Sequence, residues 1–157
     1  MKVDMHMHST ASDGTDAPEA LVALCLAAGL SHAVLTDHDT MAGTADFLAA
    51  ARAQGIRAVS GIEFSAEWEG ELHILVYGAD VEDAALRQAL CGLWQLREER
   101  MRRMLEQLHR AGVILSYDAV QRRADGASIG RPHLAQALCR AGYAASIAEA
   151  FAKYLIP

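Results

Sequence analysis

Four short stretches of this sequence gather residue types that hold metals and move protons. They are His6-Met7-His8 with Ser12-Asp13-Gly14 behind it, Asp37-His38-Asp39, Glu63, and His73 inside the apolar run Leu72-His73-Ile74-Leu75-Val76. His6 and His8 stand two apart at the end of a strand-like run, and a period of two turns both imidazoles to one face. Asp37-His38-Asp39 follows a second apolar strand, at the sheet edge where open α/β folds place their ligands. Each stretch alone has a plainer explanation: a single histidine in an apolar run is commonly a core residue, and Asp39 or Thr40 is a suitable helix cap. Together, His6, His8, Asp13, His38, Glu63 and His73 all fall at strand ends of one expected sheet. Mixed imidazole and carboxylate ligands suit Zn, Mn or Fe better than Ca or Mg alone. Six such residues exceed one tetrahedral zinc, so two or more divalent metals are expected.

The strands flanking Glu69-Gly70 test that grouping. A plain two-residue turn there pairs Ala66 with His73 and turns Glu63 away from His73, because side chains alternate along a strand. For Glu63 and His73 to reach one site, the connection must be odd in length or carry a β-bulge. Such an irregularity is therefore expected between them.

The C-terminal half contributes cations. Arg97, Arg100 and Arg103 repeat at three-residue spacing and so share one helix flank, with Glu98 and Glu99 offering a solvated ion-pair face as the simpler explanation. In Ser128-Ile129-Gly130-Arg131-Pro132-His133, Arg131 and His133 sit at the mouth of a helix. Backbone N–H groups and a guanidinium there favour an anion; plain helix capping is the alternative.

The elements that must position these residues read as follows. Residues 2–8 form a strand. A helix starts at Asp16-Ala17-Pro18-Glu19, with Asp16 as N-cap and Glu19 completing a capping box, and ends at Gly29. A strand over 32–36, a helix over about 43–54 ending at Gly55, and a strand over 56–60 complete β-α-β-α-β, the pattern of a parallel sheet or barrel. A hairpin over 62–77 follows. A long helical stretch then runs from about Asp80 to His109 or Arg110, with Gly92 marking a division into two helices. Helical periods at 118–123, 132–141 and 147–154 finish the chain, with no strand between them. A barrel of the TIM type typically needs about 250 residues. The expected division is therefore residues 1–80 as the N-terminal part of a barrel and 81–157 as a helical region.

Composition narrows the function classes. The chain has 157 residues, 14 Lys+Arg and 20 Asp+Glu, a formal net charge of −6, and 52% hydrophobic residues, enough to bury a core. The negative balance argues against duplex DNA as a partner, since phosphate affinity needs a cationic surface, but not against a small anion held by a local arginine cluster. Cys25, Cys91 and Cys139 are odd in number, widely spaced and set among apolar neighbours, which reads as buried thiols in a reducing compartment. No secretory leader and no membrane-spanning apolar run is evident, so a cytoplasmic location is expected.

The motif order carries a specific resemblance. His6-Met7-His8-Ser9 with Ser12-Asp13-Gly14, Leu35-Thr36-Asp37-His38-Asp39, Gly61-Ile62-Glu63, and Leu72-His73-Ile74-Leu75-Val76-Tyr77-Gly78 resemble the PHP (polymerase and histidinol phosphatase) family over most of the chain. The nearest likeness is to its stand-alone phosphoesterases of nucleoside phosphates and short RNA ends. The resemblance implies α/β architecture, the N-terminal part of a distorted (β/α)7 barrel with an all-helical inserted subdomain capping the substrate, and a trinuclear metal site. By family pattern His6 and His8 hold one metal with Glu63 bridging to a second, Asp13 and His38 hold another ion, and His73 joins Glu63. The insertion brings Arg100, Arg103, Arg131 and His133 to the substrate phosphate. The function implied is hydrolysis of a nucleoside phosphate or short oligonucleotide (AMP, a 3′,5′-bisphosphonucleotide, or RNA from its 5′ end). Histidinol-phosphate hydrolysis and an inactive scaffold are the alternatives. The family's later His-Pro and Asp-x-His motifs do not occur, so the chain reads as the first half of such an enzyme, whose remaining ligands come from a C-terminal half or a partner chain.

Overall fold

A computed structural model describes residues 1–68 and 70–156, apart from the side chains of residues 70 and 71. Contacts divide the chain into two compact units, Met1–Trp94 and Gln95–Pro157. The first carries β1 (Val3–Met7), α1 (Pro18–Ala27), β2 (His32–Leu35), α2 (Thr44–Gln54), β3 (Arg57–Val59), β4 (Gly61–Trp68) and β5 (Gly70–Tyr77). A 27-residue helix, α3 (Ala84–Arg110), crosses from the first unit into the second. The second continues with α4 (Tyr117–Ala124), α5 (Arg131–Arg140), α6 (Ile147–Ala150) and a π-helical turn over Phe151–Leu155. Among the described residues, no helix is long and apolar enough to cross a membrane.

β1, β2 and β3 form a parallel sheet in that order, and β4 and β5 form an antiparallel hairpin. Parallel strands need crossovers, which α1 and α2 supply. Leu21, Val22 and Cys25 of α1, Phe47 and Ala51 of α2, and Ala33 and Leu35 of β2 make one buried cluster. β1 runs Asp4↔Ala33 and then Met7↔Leu35, so three residues of β1 advance against two of β2. That bulge sits beside His6, where an extra residue re-aims the chain. The hairpin joins the sheet through the segment after β2: Glu63 N–H donates to the Asp37 carbonyl at 3.2 Å and Asp39 N–H to the Glu63 carbonyl at 3.0 Å. Gly61 makes this junction possible. A Cβ there would lie 2.7 Å from the Leu35 carbonyl oxygen and would also strike Val34 Cγ1.

Four local expectations are corrected. Helix α1 is capped by Ala17 with no side-chain cap, and Asp16 instead accepts from the Thr15 hydroxyl at 2.9 Å. Pro18 at N1 already fixes the entry dihedral and presents no N–H to satisfy. Asp39 and Thr40 do not cap α2, whose N-cap is Gly43. Gly92 does not break α3; one interior glycine costs only about 1 kcal/mol in a long helix. Of the three thiols, Cys25 is buried, Cys139 half-buried, and Cys91 exposed on α3, where apolar sequence neighbours point to other faces of the helix.

The helical unit packs Met101, Leu105 and Leu108 of α3 with Val120 of α4 and Leu134, Ala135 and Leu138 of α5. Ser116 caps α4, accepting from Ala119 N–H, and Tyr117 donates its hydroxyl to Glu98 at 3.0 Å. Burial, then that bond and the Glu98 charge, push the Tyr117 hydroxyl above its ordinary pKa.

Candidate metal centre

Strand pairing decides the site. The β4–β5 register runs from Gly61↔Tyr77 to Trp68↔Gly70, setting Glu63 opposite Leu75 and Ser65 opposite His73. Odd-numbered residues therefore face odd-numbered ones, and Glu63 and His73 share a face. This is the odd connection that a shared site requires. Glu69 itself lies outside the described residues.

On that face Glu63 is buried and meets four imidazoles. Its Oε2 is 2.8 Å from His6 Nε2, 3.1 Å from His8 Nε2 and 3.6 Å from His38 Nδ1, while Oε1 is 3.2 Å from His73 Nδ1. Asp13 faces two of the same rings, with Oδ1 3.5 Å from His8 Nδ1 and Oδ2 3.6 Å from His38 Nε2. The rings crowd together, the His8 and His38 centroids being 4.6 Å apart and those of His38 and His73 4.7 Å. Three ligand groups result: His6 with His8 and Glu63, His8 with Asp13 and His38, and His38 with Glu63 and His73. Within each, the ligand atoms lie within 4.8 Å of one another. His8, His38 and Glu63 each belong to two groups.

The donor chemistry fits divalent cations. His6 Nε2 and His8 Nε2 approach each other to 3.1 Å. Two ligands on one tetrahedral ion with bonds near 2.05 Å stand roughly 3.3 Å apart, and imidazole with carboxylate is its usual company. His8 Nδ1 is buried and makes no hydrogen bond within the protein, although buried polar atoms are normally satisfied. A cation shared by the two Nε2 atoms accounts for their close approach, and a second, at the group with Asp13 and His38, gives His8 Nδ1 a partner.

Two further carboxylates, beside His38, play another part. Asp37 is buried and both its oxygens accept short hydrogen bonds: Oδ1 from Ser9 N–H at 2.7 Å and Ser12 Oγ at 2.6 Å, Oδ2 from Ser9 Oγ at 2.6 Å. Asp39 is also buried, holds a positive φ of 50°, and accepts from Ser65 N–H at 2.7 Å. Neither belongs to any of the three ligand groups. Ser9 and Ser12 stand within the motifs around His8 and Asp13, but their role appears only in their hydrogen bonds to Asp37.

The four residues expected at the phosphate all lie in the helical unit. Arg100 and Arg103 are exposed on α3. Arg131 opens α5 with its guanidinium 5.7 Å from the centre of the Phe151 ring. His133 is buried and its Nδ1 accepts from Gly130 N–H at 3.0 Å, so it serves as a cap. Arg97 donates to the Ile129 carbonyl at 3.1 Å, and Arg102 pairs with Glu98. Ser128 is buried, its Oγ without a hydrogen-bond partner.

The family model for the PHP domain matches residues 4–155. The chain belongs to the PHP domain family. It is 37% identical over 155 residues to the 5′-3′ exoribonuclease of Haemophilus influenzae and 34% identical over 157 residues to the 3′,5′-nucleoside bisphosphate phosphatase of Chromobacterium violaceum. Those alignments cover 98% and 99% of this chain but 56% and 55% of the relatives, so the chain spans about half their length. Among solved structures, an amidohydrolase from Chromobacterium violaceum with bound sulfate superposes at a TM-score of 0.89, with 34% identity over 99% of this chain and 55% of its own. A protein from Bifidobacterium adolescentis described as a candidate metal-dependent phosphoesterase does so at 0.86, with 31% identity over 99% of this chain and 58% of its own. The PHP barrel segment is thus an α/β structure of parallel strands and a hairpin, and among the described residues its strands do not close into a barrel.

Proposed function

We propose that this PHP chain is the metal-holding part of a phosphoesterase acting on a nucleoside phosphate or short oligonucleotide. The observation that carries the reading is the trio of ligand groups linked through His8, His38 and Glu63. Adjacent cation sites suit in-line displacement at phosphorus. The names of the relatives, an exoribonuclease and a bisphosphate phosphatase, support the substrate class.

In this reading His6, His8, Asp13, His38, Glu63 and His73 hold two or three Mn, Fe or Zn ions. Bound there, the metals supply Lewis acidity for the phosphoryl oxygens and lower the pKa of water toward neutrality. Glu63 contributes its charge to two neighbouring ligand groups and holds their separation. Asp13 adds a second charge beside His8 and His38. Arg100, Arg103 and Arg131 neutralise charge on the substrate phosphate, and His133 orders the α5 entrance that presents Arg131. Residues 81–157 are then the substrate-capping region.

The test uses the full-length protein loaded with Mn²⁺ and offered AMP, a 3′,5′-bisphosphonucleoside, a 5′-phosphorylated short RNA and histidinol phosphate in parallel. Turnover of a nucleotide substrate that ends on chelation is the expected result. Preference for histidinol phosphate would reassign the substrate, and no turnover of any of the four by metal-loaded protein would refute the reading.

A further inference from the structure

The loop that carries Asp13 is short and folds on itself. Ser12 N–H and Gly14 N–H both donate to the Ser9 carbonyl, at 3.0 and 2.9 Å, and Ala11 N–H donates to Ser9 Oγ at 3.1 Å. Gly14 lies so close under His8 that a Cβ would strike its carbonyl oxygen and come within 2.8 Å of Ser9 N. What ties this loop to the sheet is Asp37. Three donors from residues 9 and 12 converge on its two oxygens, and Ser9, Ser12 and Asp37 are all at most 2% exposed. The anchored stretch begins directly after His8 and ends directly before Asp13. Asp37 itself directly precedes His38. One buried carboxylate therefore binds together the three chain positions that supply the group His8, Asp13 and His38.

Charge-assisted bonds of 2.6–2.7 Å are the strong kind, and a network with every buried member satisfied has one arrangement. Asp37 has both oxygens occupied by protein donors, which distinguishes it from the six ligands. We infer that Asp37 is a positioning residue for one cation of the cluster: through Ser9 and Ser12 it sets Asp13 at the spacing His8 and His38 require. The inference rests on the metal-holding reading of the site and adds a selectivity to it. Loss of Asp37 weakens the cation of the Asp13 group and spares the cation of the group His6, His8 and Glu63, which does not include Asp13.

The experiment is Mn²⁺ binding to this chain by isothermal titration, for the wild type, Asp37→Asn, Asp13→Asn, His6→Ala and the doubles D37N/D13N and D37N/H6A. Asparagine keeps the size of the side chain but presents an N–H₂ where one oxygen accepted. D37N is expected to weaken one equivalent by tenfold or more, within the range for residues that orient ligands. Its loss should multiply with that of H6A, which acts on another ion, and should fail to multiply with that of D13N, which acts on the same one. A purely structural role would lower every equivalent together. D37N binding within twofold of wild type, a uniform loss at all equivalents, or full multiplication with D13N would each overturn the inference. Should D37N not fold, Ser12→Ala replaces it in the same cycles, with a loss of threefold or more expected at the Asp13 equivalent and no change overturning the proposal. Failure of the wild type to bind Mn²⁺ would overturn the reading beneath the inference as well, and the wild-type titration alone reports it.

Discussion

Gly61→Ala tests whether the close approach of β4 to β2 sets the candidate metal centre. The added Cβ would lie 2.7 Å from the Leu35 carbonyl oxygen and 2.9 Å from Thr36 Cγ2, besides striking Val34 Cγ1. Leu35 O is backbone inside a buried parallel strand, so the relief must come from β4. Restoring ordinary contact, 3.4 Å or more, displaces the start of β4 by about 0.7 Å on a steeply repulsive contact. Overpacking of this size costs about 1–3 kcal/mol, or a fall in Tm of a few degrees to roughly 10 °C. Glu63 stands two residues further along and moves with the strand. Ligand distances tolerate only about 0.2 Å, so Mn²⁺ affinity should fall by roughly 10–100-fold. Thermal melting and isothermal titration on the same samples measure both effects. Gly92→Ala is the control: nothing lies within 4 Å of a Cβ there, and an alanine in a helix interior should stabilise by about 0.5–1 kcal/mol. The reasoning is refuted if G61A melts and binds Mn²⁺ as the wild type does. If it melts lower but binds metal normally, the link from Gly61 to Glu63 is wrong.

Three other outcomes follow from the geometry. His8→Ala should lower bound metal after dialysis more than His6→Ala, because His8 serves two ligand groups and His6 one; equal losses by elemental analysis would contradict the shared-ligand arrangement. The Tyr117 hydroxyl is raised by burial and then by Glu98. Its contribution to stability is thus complete below the ordinary value near 10 and is lost as pH rises through the higher folded value. Melts from about pH 8 to 11 should show the wild type losing its margin over Tyr117→Phe only at the alkaline end, and a constant margin would refute this. Iodoacetamide should label exposed Cys91 first and Cys25 last, since burial, with the Asp4 charge second, pushes the Cys25 thiol up; peptide mass spectrometry gives the order, and early labelling of Cys25 would overturn it.

The elements were largely legible because they rest on local chemistry. Pro18 opening α1, the apolar run of β2 and Gly55 ending α2 are matters of dihedral preference and periodicity, which neighbouring residues carry. At Asp39 a local signal was overridden by a distant partner. Asp39 has the chemistry of a helix cap, but Ser65 of β4 claims its carboxylate. Gly92 weakens a helix on paper, yet α3 runs through it.

The six candidate ligands could be named from type and spacing alone, because imidazole and carboxylate at strand ends are costly to place without a purpose. Their grouping could not. Period two put His6 and His8 on one face, but only the bulge in β1 and the parallel register with β2 bring them to His38. Likewise the sequence permitted Glu63 and His73 on either the same face or opposite faces, and a single residue of hairpin register separates the two. The pairing of Gly61↔Tyr77 through Trp68↔Gly70 settles it. Candidate-ligand identity is thus a property of the residues, whereas their grouping is a property of strand register, which long-range hydrogen bonds determine and neighbours in sequence do not.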